Sequence, residues 1–429
     1  MGSRLQRFGF ILLVVLLGLG VLLTAHSVRR AVGFGDWSDA SRQWEVCQYV
    51  KARINPYELA FRLLHDTFGP ATGENRIRLK ETRIYSISSA RWDESTPGLL
   101  PGHPPPEATY PPSTVSMLLP TIGMLPKPVL LASLTTVNLV FLAIWIVLAA
   151  GWLRQETGLP RAGAVLMAAA LTLLWPPLHL AIQHGQVGIL VLLCAAAATA
   201  IHARHPVAAG VLYTVALIKP SMVLLFLIIP LVKGNWKTIL TTGLLGILLT
   251  LLPAIWLQEW PWVLLAQWMG LCQYVLQGAF TLQEVLNAVS WENTLPGTLV
   301  VLALWSAVLG WCLWWRRARA ADLFAFLCLA NLAWTYHERP DFTLLAFLLV
   351  RFGAWLPDPA RRQAALAGLG LCLVLGLALS DAFYIPATAW AHALRWAGRA
   401  ALPGLWILTA AAVRASHREP SAVCPAPHR

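Results

Sequence analysis

Long apolar runs separated by short basic loops set the pattern of this chain. A bilayer core of about 30 Å needs roughly 20 apolar residues per helix. Runs that meet or approach that length cover residues 9–25, 128–153, 162–182, 187–203, 238–257, 296–315, 322–336, 342–355, 365–380 and 401–413. One further apolar stretch, 206–232, is interrupted by Lys219-Pro220. Each of its halves is too short to cross, so it is expected to enter the membrane as a helical hairpin and return to the same side. Directly after the first run the period changes. Ala40, Trp44, Cys47, Val50 and Ile54 recur on one helical face, and Arg42, Gln43, Glu45, Gln48, Lys51 and Arg53 fill the other positions. This predicts a helix lying in the interface plane. Asn55-Pro56 stops it, because proline lacks an amide proton and disfavours helix in the residue before it.

The expected fold class is an all-α polytopic membrane protein, a bundle of about 10 to 13 transmembrane or re-entrant helices. Composition agrees: 57% of residues are hydrophobic and 12% charged, with a mean hydropathy of +0.62. One transmembrane domain is expected over 1–415, with a disordered cytoplasmic tail over 416–429. The 32 Lys+Arg against 20 Asp+Glu give a net charge of +12. Most of the excess sits in short loops and tails, so the positive-inside rule accounts for it and nucleic acid is not an expected partner. With a non-crossing hairpin, the loops bearing Arg154, Arg161, His202, Arg204, Lys233, Lys237, Arg316, Arg317, Arg319, Arg361 and Arg362 fall on one side, as does the segment with Arg414 and Arg418. That side is expected to be cytoplasmic, with both termini on it; Arg29-Arg30 is the exception. The first helix is expected to be uncleaved, since its apolar run is long for a signal peptide. Seven cysteines without metal-ligand or CxxC spacing indicate neither a disulfide framework nor a zinc site.

Polar residues then converge on the opposite, external face. Two long external loops are expected there, 27–113 and 258–295, and loops of that length seldom lack a function. The first carries Asp36 and Asp39 and ends in GHPPPEATYPPS, with His103 and Tyr110; the second carries Trp-Pro-Trp, Gln283, Glu284 and Asn287. Asp36 and Asp39 suit either a helix cap or a proton acceptor. Lys219 in the hairpin needs an anionic partner or an aqueous cavity. Gln183-His184-Gly185-Gln186 makes a tight turn before the next span, either a plain connection or a set of amides for sugar hydroxyls. Trp334-Thr-Tyr-His337-Glu-Arg339-Pro-Asp341 crowds another turn, as a phosphate grip or as an internal ion network of Glu338, Arg339 and Asp341.

Taken in order, Asp39, Trp44 and Pro56-Tyr57, then Tyr110-Pro111-Pro112, Gly185-Gln186, Lys219-Pro220, and Trp334 with His337 resemble the motifs of glycosyltransferase family 87. Arg53-Ile54 stand where that family typically has a glycine, and Ala330-Asn331 where it usually has Ser-Pro. The resemblance implies a GT-C fold and a polyprenyl-phosphate-sugar donor such as one carrying mannose or arabinose. It implies a lipid-linked or glycan acceptor, and one inverting displacement without cofactor or metal on the external face of a bacterial inner membrane. Asp39 would be the base, with Asp36 a cap or a substrate contact. Lys219, His337 and Arg339 would hold the phosphate; Gln186, His184, Tyr110 and Trp334 would contact substrate. The rival expectation is a transporter or flippase of lipid-linked saccharides, which should show repeats or broken helices in corresponding halves; a scaffold is the third. No Walker A, GxGxxG or DxD spacing points to a soluble nucleotide sugar.

Overall fold

The computed structural model describes residues 2–33, 39–69, 97–275, 295–334, 339–379 and 389–418, and every regular element among them is helical. In order they are α1 Gly2–Gly33, α2 Asp39–Lys51, α3 Pro56–Phe68, α4 Pro112–Leu118, α5 Lys127–Thr157, α6 Arg161–Leu173, α7 Pro176–Gln183, α8 Gly188–Ile201 and α9 Pro206–Ala216. Then follow α10 Pro220–Val223, α11 Ile228–Val232, α12 Trp236–Leu257, α13 Pro261–Val275, α14 Leu295–Trp314, α15 Ala320–Trp334, α16 Leu345–Trp355, α17 Arg362–Leu379 and α18 Ala389–Arg418. Short 3-10 turns, Ile122–Met124, Leu224–Leu227 and Arg339–Leu344, precede α5, α11 and α16. Among the described residues, α1, α5, α12, α14 and α17 are long and apolar enough to cross a membrane, and α6 with α7 would add a sixth crossing.

Residues 162–182 do not form one straight span. The chain bends by 68° between α6 and α7. Pro176 and Pro177 withdraw two amide donors, so the Thr172 and Leu173 carbonyls lose their partners four residues on. His179 Nε2 lies 2.7 Å from the Leu173 carbonyl, and Trp175 Nε1 donates to the Phe342 carbonyl at 2.8 Å.

The hairpin over 206–232 does return to the end it came from. α9 runs away from Pro206, breaks at 217–219, and α10, the 3-10 turn and α11 lead back. Beyond it, Asn235 Nδ2 donates to the His202 carbonyl, and Lys233 Nζ donates to the carbonyls of Arg316 and Ala318 at 2.6 Å. Fully buried Arg351 pairs with Asp322 and Glu156 at the same end, and Arg319 reaches Glu156 at 3.5 Å. Four of the loops expected to share one basic side, those at 154–161, 202–205, 233–237 and 316–319, therefore meet at one end of the bundle.

α2 departs from the interface helix its periodicity predicts. Its apolar face is buried, but so are Gln43 and Glu45, which the pattern assigns to the outer face. The helix packs on α3, α4, α5, α12 and the turn at 122–124, so protein covers most of its perimeter. Glu45 is compensated there: Lys127 Nζ lies 3.0 Å and His103 Nδ1 2.6 Å from its carboxylate oxygens. A buried carboxylate persists when it is paired.

Asn55 both ends this helix region and starts the next helix. Its Oδ1 accepts from the amides of Tyr57 and Glu58 at 3.1 and 3.2 Å, capping α3 with Pro56 in its first turn. Arg53 has φ of +58°, the left-handed conformation that glycine adopts without steric cost. Its guanidinium lies 4.9 Å from the centroid of Trp256, whose Nε1 donates to the Val50 carbonyl at 2.8 Å. Arg53→Ala keeps the backbone strain and loses the ring contact, whereas Arg53→Gly removes the strain. Thermal unfolding in detergent should find Arg53→Gly more stable than Arg53→Ala by roughly 1 kcal/mol; equal stability would mean that the strain is absent.

Candidate active site

Asp39 opens α2, and the turn after α7 seats it. The Asp39 amide donates to the His184 carbonyl at 3.0 Å. Gly185 follows with φ of +61°, and a Cβ there would meet the Ala40 Cβ at 2.9 Å. The turn needs glycine both for its backbone and for the close approach of α2. His184, a half-buried residue, thus contributes a backbone contact to Asp39.

The Asp39 carboxylate is oriented by Tyr110, whose hydroxyl donates to Oδ2 at 2.7 Å. Tyr110 is itself held from α3: the fully buried Tyr57 donates its hydroxyl to the Tyr110 carbonyl at 3.2 Å. Burial pushes the Tyr57 hydroxyl well above its ordinary pKa, so it remains a donor throughout the physiological range. Tyr110-Pro111-Pro112 then leads into α4, where Thr114 Oγ1 donates to the Ile218 carbonyl at 2.9 Å, one residue before Lys219.

Lys219 occupies the hairpin break and is 8% exposed. Its Nζ donates to Gln186 Oε1 at 3.2 Å and lies 5.8 Å from the Tyr110 ring centroid. Its anionic partner is Asp341, fully buried and joined to it as an ion pair. Asp341 is thus tied to a residue 122 positions back in the chain, a contact that the local charge cluster does not announce, while Glu338 lies outside the described residues. Asn138 Nδ2 donates to the Gln186 carbonyl at 3.1 Å, and Asn331 Nδ2 to the Ser221 carbonyl at 2.8 Å, fixing the turn and the break from two further helices.

Asp39, Tyr110, Gln186, Lys219 and Asp341 are therefore linked contact by contact, although they come from separate parts of the sequence. A cleft beside Asp39 is lined by Gln43, Tyr110, Ile122, Leu134 and Gly185 among others. Trp334 is the last residue of α15 and Arg339 the first of the 3-10 turn that carries Asp341. Asp36, His337 and Glu338 lie outside the described residues, as do Gln283, Glu284, Asn287 and Asp381. His103 sits on Glu45 and stacks on Trp44, with ring centroids 5.8 Å apart.

A multi-pass helical protein that gathers a carboxylate, a phenol, an amide and a paired ammonium at one end of its bundle has the groups needed to move a polar moiety at a membrane. The family model of glycosyltransferase family 87 matches residues 108–336, and the chain belongs to that family. It is accordingly a transferase, and the transporter reading is set aside. The match includes Tyr110, Gln186, Lys219 and Trp334, while Asp39 and Asp341 lie outside it. No curated protein and no solved structure matches the chain.

Removing one member of a buried ion pair strands the other, at a cost of about 3–5 kcal/mol. Lys219→Met and Asp341→Leu should each lower the unfolding temperature strongly in detergent, and the double variant should lose much less than their sum. Additive losses would contradict the pairing. Gly185→Ala should reduce both stability and the amount of folded protein, because neither its φ nor the gap to Ala40 accommodates a methyl group.

Proposed function

We propose that the protein transfers a sugar, mannose or arabinose in type, from a polyprenyl phosphate to a lipid-linked or glycan acceptor. The reaction occurs on the external face of a bacterial inner membrane, within a GT-C-type arrangement. The observation that carries this reading is the continuity of Asp39, Tyr110 and Lys219: the Tyr110 hydroxyl holds the carboxylate, and the Lys219 ammonium lies 5.8 Å from the centroid of the same ring.

In the reaction, an acceptor hydroxyl oxygen bonds to the anomeric carbon from the face opposite the phosphate and gives its proton to the Asp39 carboxylate. The bond from the anomeric carbon to the phosphate oxygen breaks, and polyprenyl phosphate leaves with the electron pair. The anomeric configuration inverts. The Tyr110 hydrogen bond on Oδ2 fixes the carboxylate's orientation, so little reorganisation accompanies proton transfer. Lys219, oriented by Asp341 and Gln186, stabilises the departing phosphate, a role that the family resemblance extends to Arg339 and His337. Gln186, His184 and Trp334 are the proposed sugar contacts, with Asp36 as a further substrate contact. The external assignment is supported by the basic loops gathered at the opposite end of the bundle.

In proteoliposomes, wild type should move labelled sugar from the polyprenyl phosphate to acceptor. Asp39→Asn should fold normally and lose roughly 10²–10⁴-fold in kcat; undiminished turnover would remove Asp39 as the base. Labelling of Asp39→Cys by an impermeant thiol reagent should proceed from outside the cell. Cys47 does not interfere, since burial pushes its thiol up to about 12. Labelling only from the cytoplasmic side would overturn the orientation.

A further inference from the structure

We infer that Gln43 reads a sugar hydroxyl in the cleft beside Asp39. The inference deepens the transfer reaction proposed above and rests on it.

Gln43 stands one helical turn after Asp39, so both side chains project from the same face of α2. It is 5% exposed and lines the same cleft as Asp39 and Tyr110. Its Nε2 has no hydrogen-bond partner among the described residues. The neighbouring buried polar group on this helix is treated differently: Glu45 is met by both Lys127 and His103. A buried amide donor without a partner is destabilising, and buried polar side chains in native proteins are nearly all satisfied. Its environment is otherwise apolar, with Leu118, Ile122, Leu134 and Val187 in the cleft wall. A leucine would suit that wall better than an amide.

What the cleft supplies is a donor beside the carboxylate that accepts the acceptor's proton. A sugar hydroxyl is the matching group, because it both accepts and donates and pairs with an amide in either sense. It belongs to the donor sugar or to the acceptor sugar, both of which meet at Asp39. Polar sites of this kind discriminate strongly: when the hydroxyl is missing, the amide is again left unpaired, and the analogue is rejected.

The test uses the full-length protein in proteoliposomes, with polyprenyl-phosphate mannose as donor and an alkyl mannoside as acceptor, each also as a series of single-deoxy analogues. Gln43→Leu should be as stable as wild type or more so, while kcat/KM falls roughly 10- to 100-fold. At one hydroxyl position the deoxy analogue should cost wild type a similar factor and cost Gln43→Leu nothing further. Whether that position lies in the donor or the acceptor series identifies the sugar read. Gln43→Leu that retains wild-type kcat/KM, or that keeps wild-type discrimination at every hydroxyl of both series, overturns the inference. So does a Gln43→Leu that is less stable with its discrimination unchanged, since the amide would then be structural. A wild type that transfers from neither polyprenyl-phosphate mannose nor any other polyprenyl-phosphate sugar removes the proposed function, and this inference with it.

Discussion

The buried pair of Lys219 and Asp341 constrains the rest of the site. Neither charge can be left alone in a low-dielectric interior, so the tip of the hairpin and the turn before α16 have to fold together. Once they do, Gln186 is drawn in as a second acceptor for the ammonium, and the Ile218 carbonyl meets Thr114. Tyr110, four residues before Thr114, then lies against Lys219 and reaches Asp39. A break in a membrane hairpin thus becomes the point at which four distant segments are referenced to one another.

A second ionic cluster at the other end of the bundle performs a separate task. Arg351 joins Asp322 at the start of α15 to Glu156 near the end of α5, and the carbonyls after α14 are taken by Lys233. Between the two ends the contacts are apolar and aromatic. Phe226 and Phe324 stack with centroids 4.1 Å apart, and Phe347 packs edge-on to Phe324 at 4.5 Å and near Trp145 at 6.2 Å. Such a close-packed middle resists deformation. It allows the ends to carry charge: Arg351 joins helices at one, and Lys219 with Asp341 joins two turns at the other.

Much of the helical layout was legible in the sequence because apolar runs and prolines mark it directly. Lys219-Pro220 announced the hairpin, and the distribution of arginines announced which loops share an end. The bend at α6–α7 had a signal in Pro176-Pro177, which the uniform hydropathy of the run overshadowed. Two features were not legible. The burial of Gln43 and Glu45 depends on protein covering a second face of α2, and periodicity along one segment carries no information about its neighbours. The pairing of Lys219 with Asp341 is set by tertiary proximity, whereas local charge clustering only sets Asp341 beside Glu338 and Arg339 in the chain. Arg53 lies between these cases: the sequence showed the missing glycine, and the structure shows the left-handed backbone that would favour one, steadied by Trp256.

Chemically, the arrangement brings a carboxylate and an ammonium to one tyrosine, the first at its hydroxyl and the second 5.8 Å from its ring centroid. The most direct measurement is a cryo-electron microscopy structure of the full-length protein with polyprenyl phosphate bound. The account predicts phosphate density beside Lys219. Phosphate bound instead among Arg316, Arg317 and Lys233 at the opposite end, with the Lys219 pocket unchanged, would contradict it.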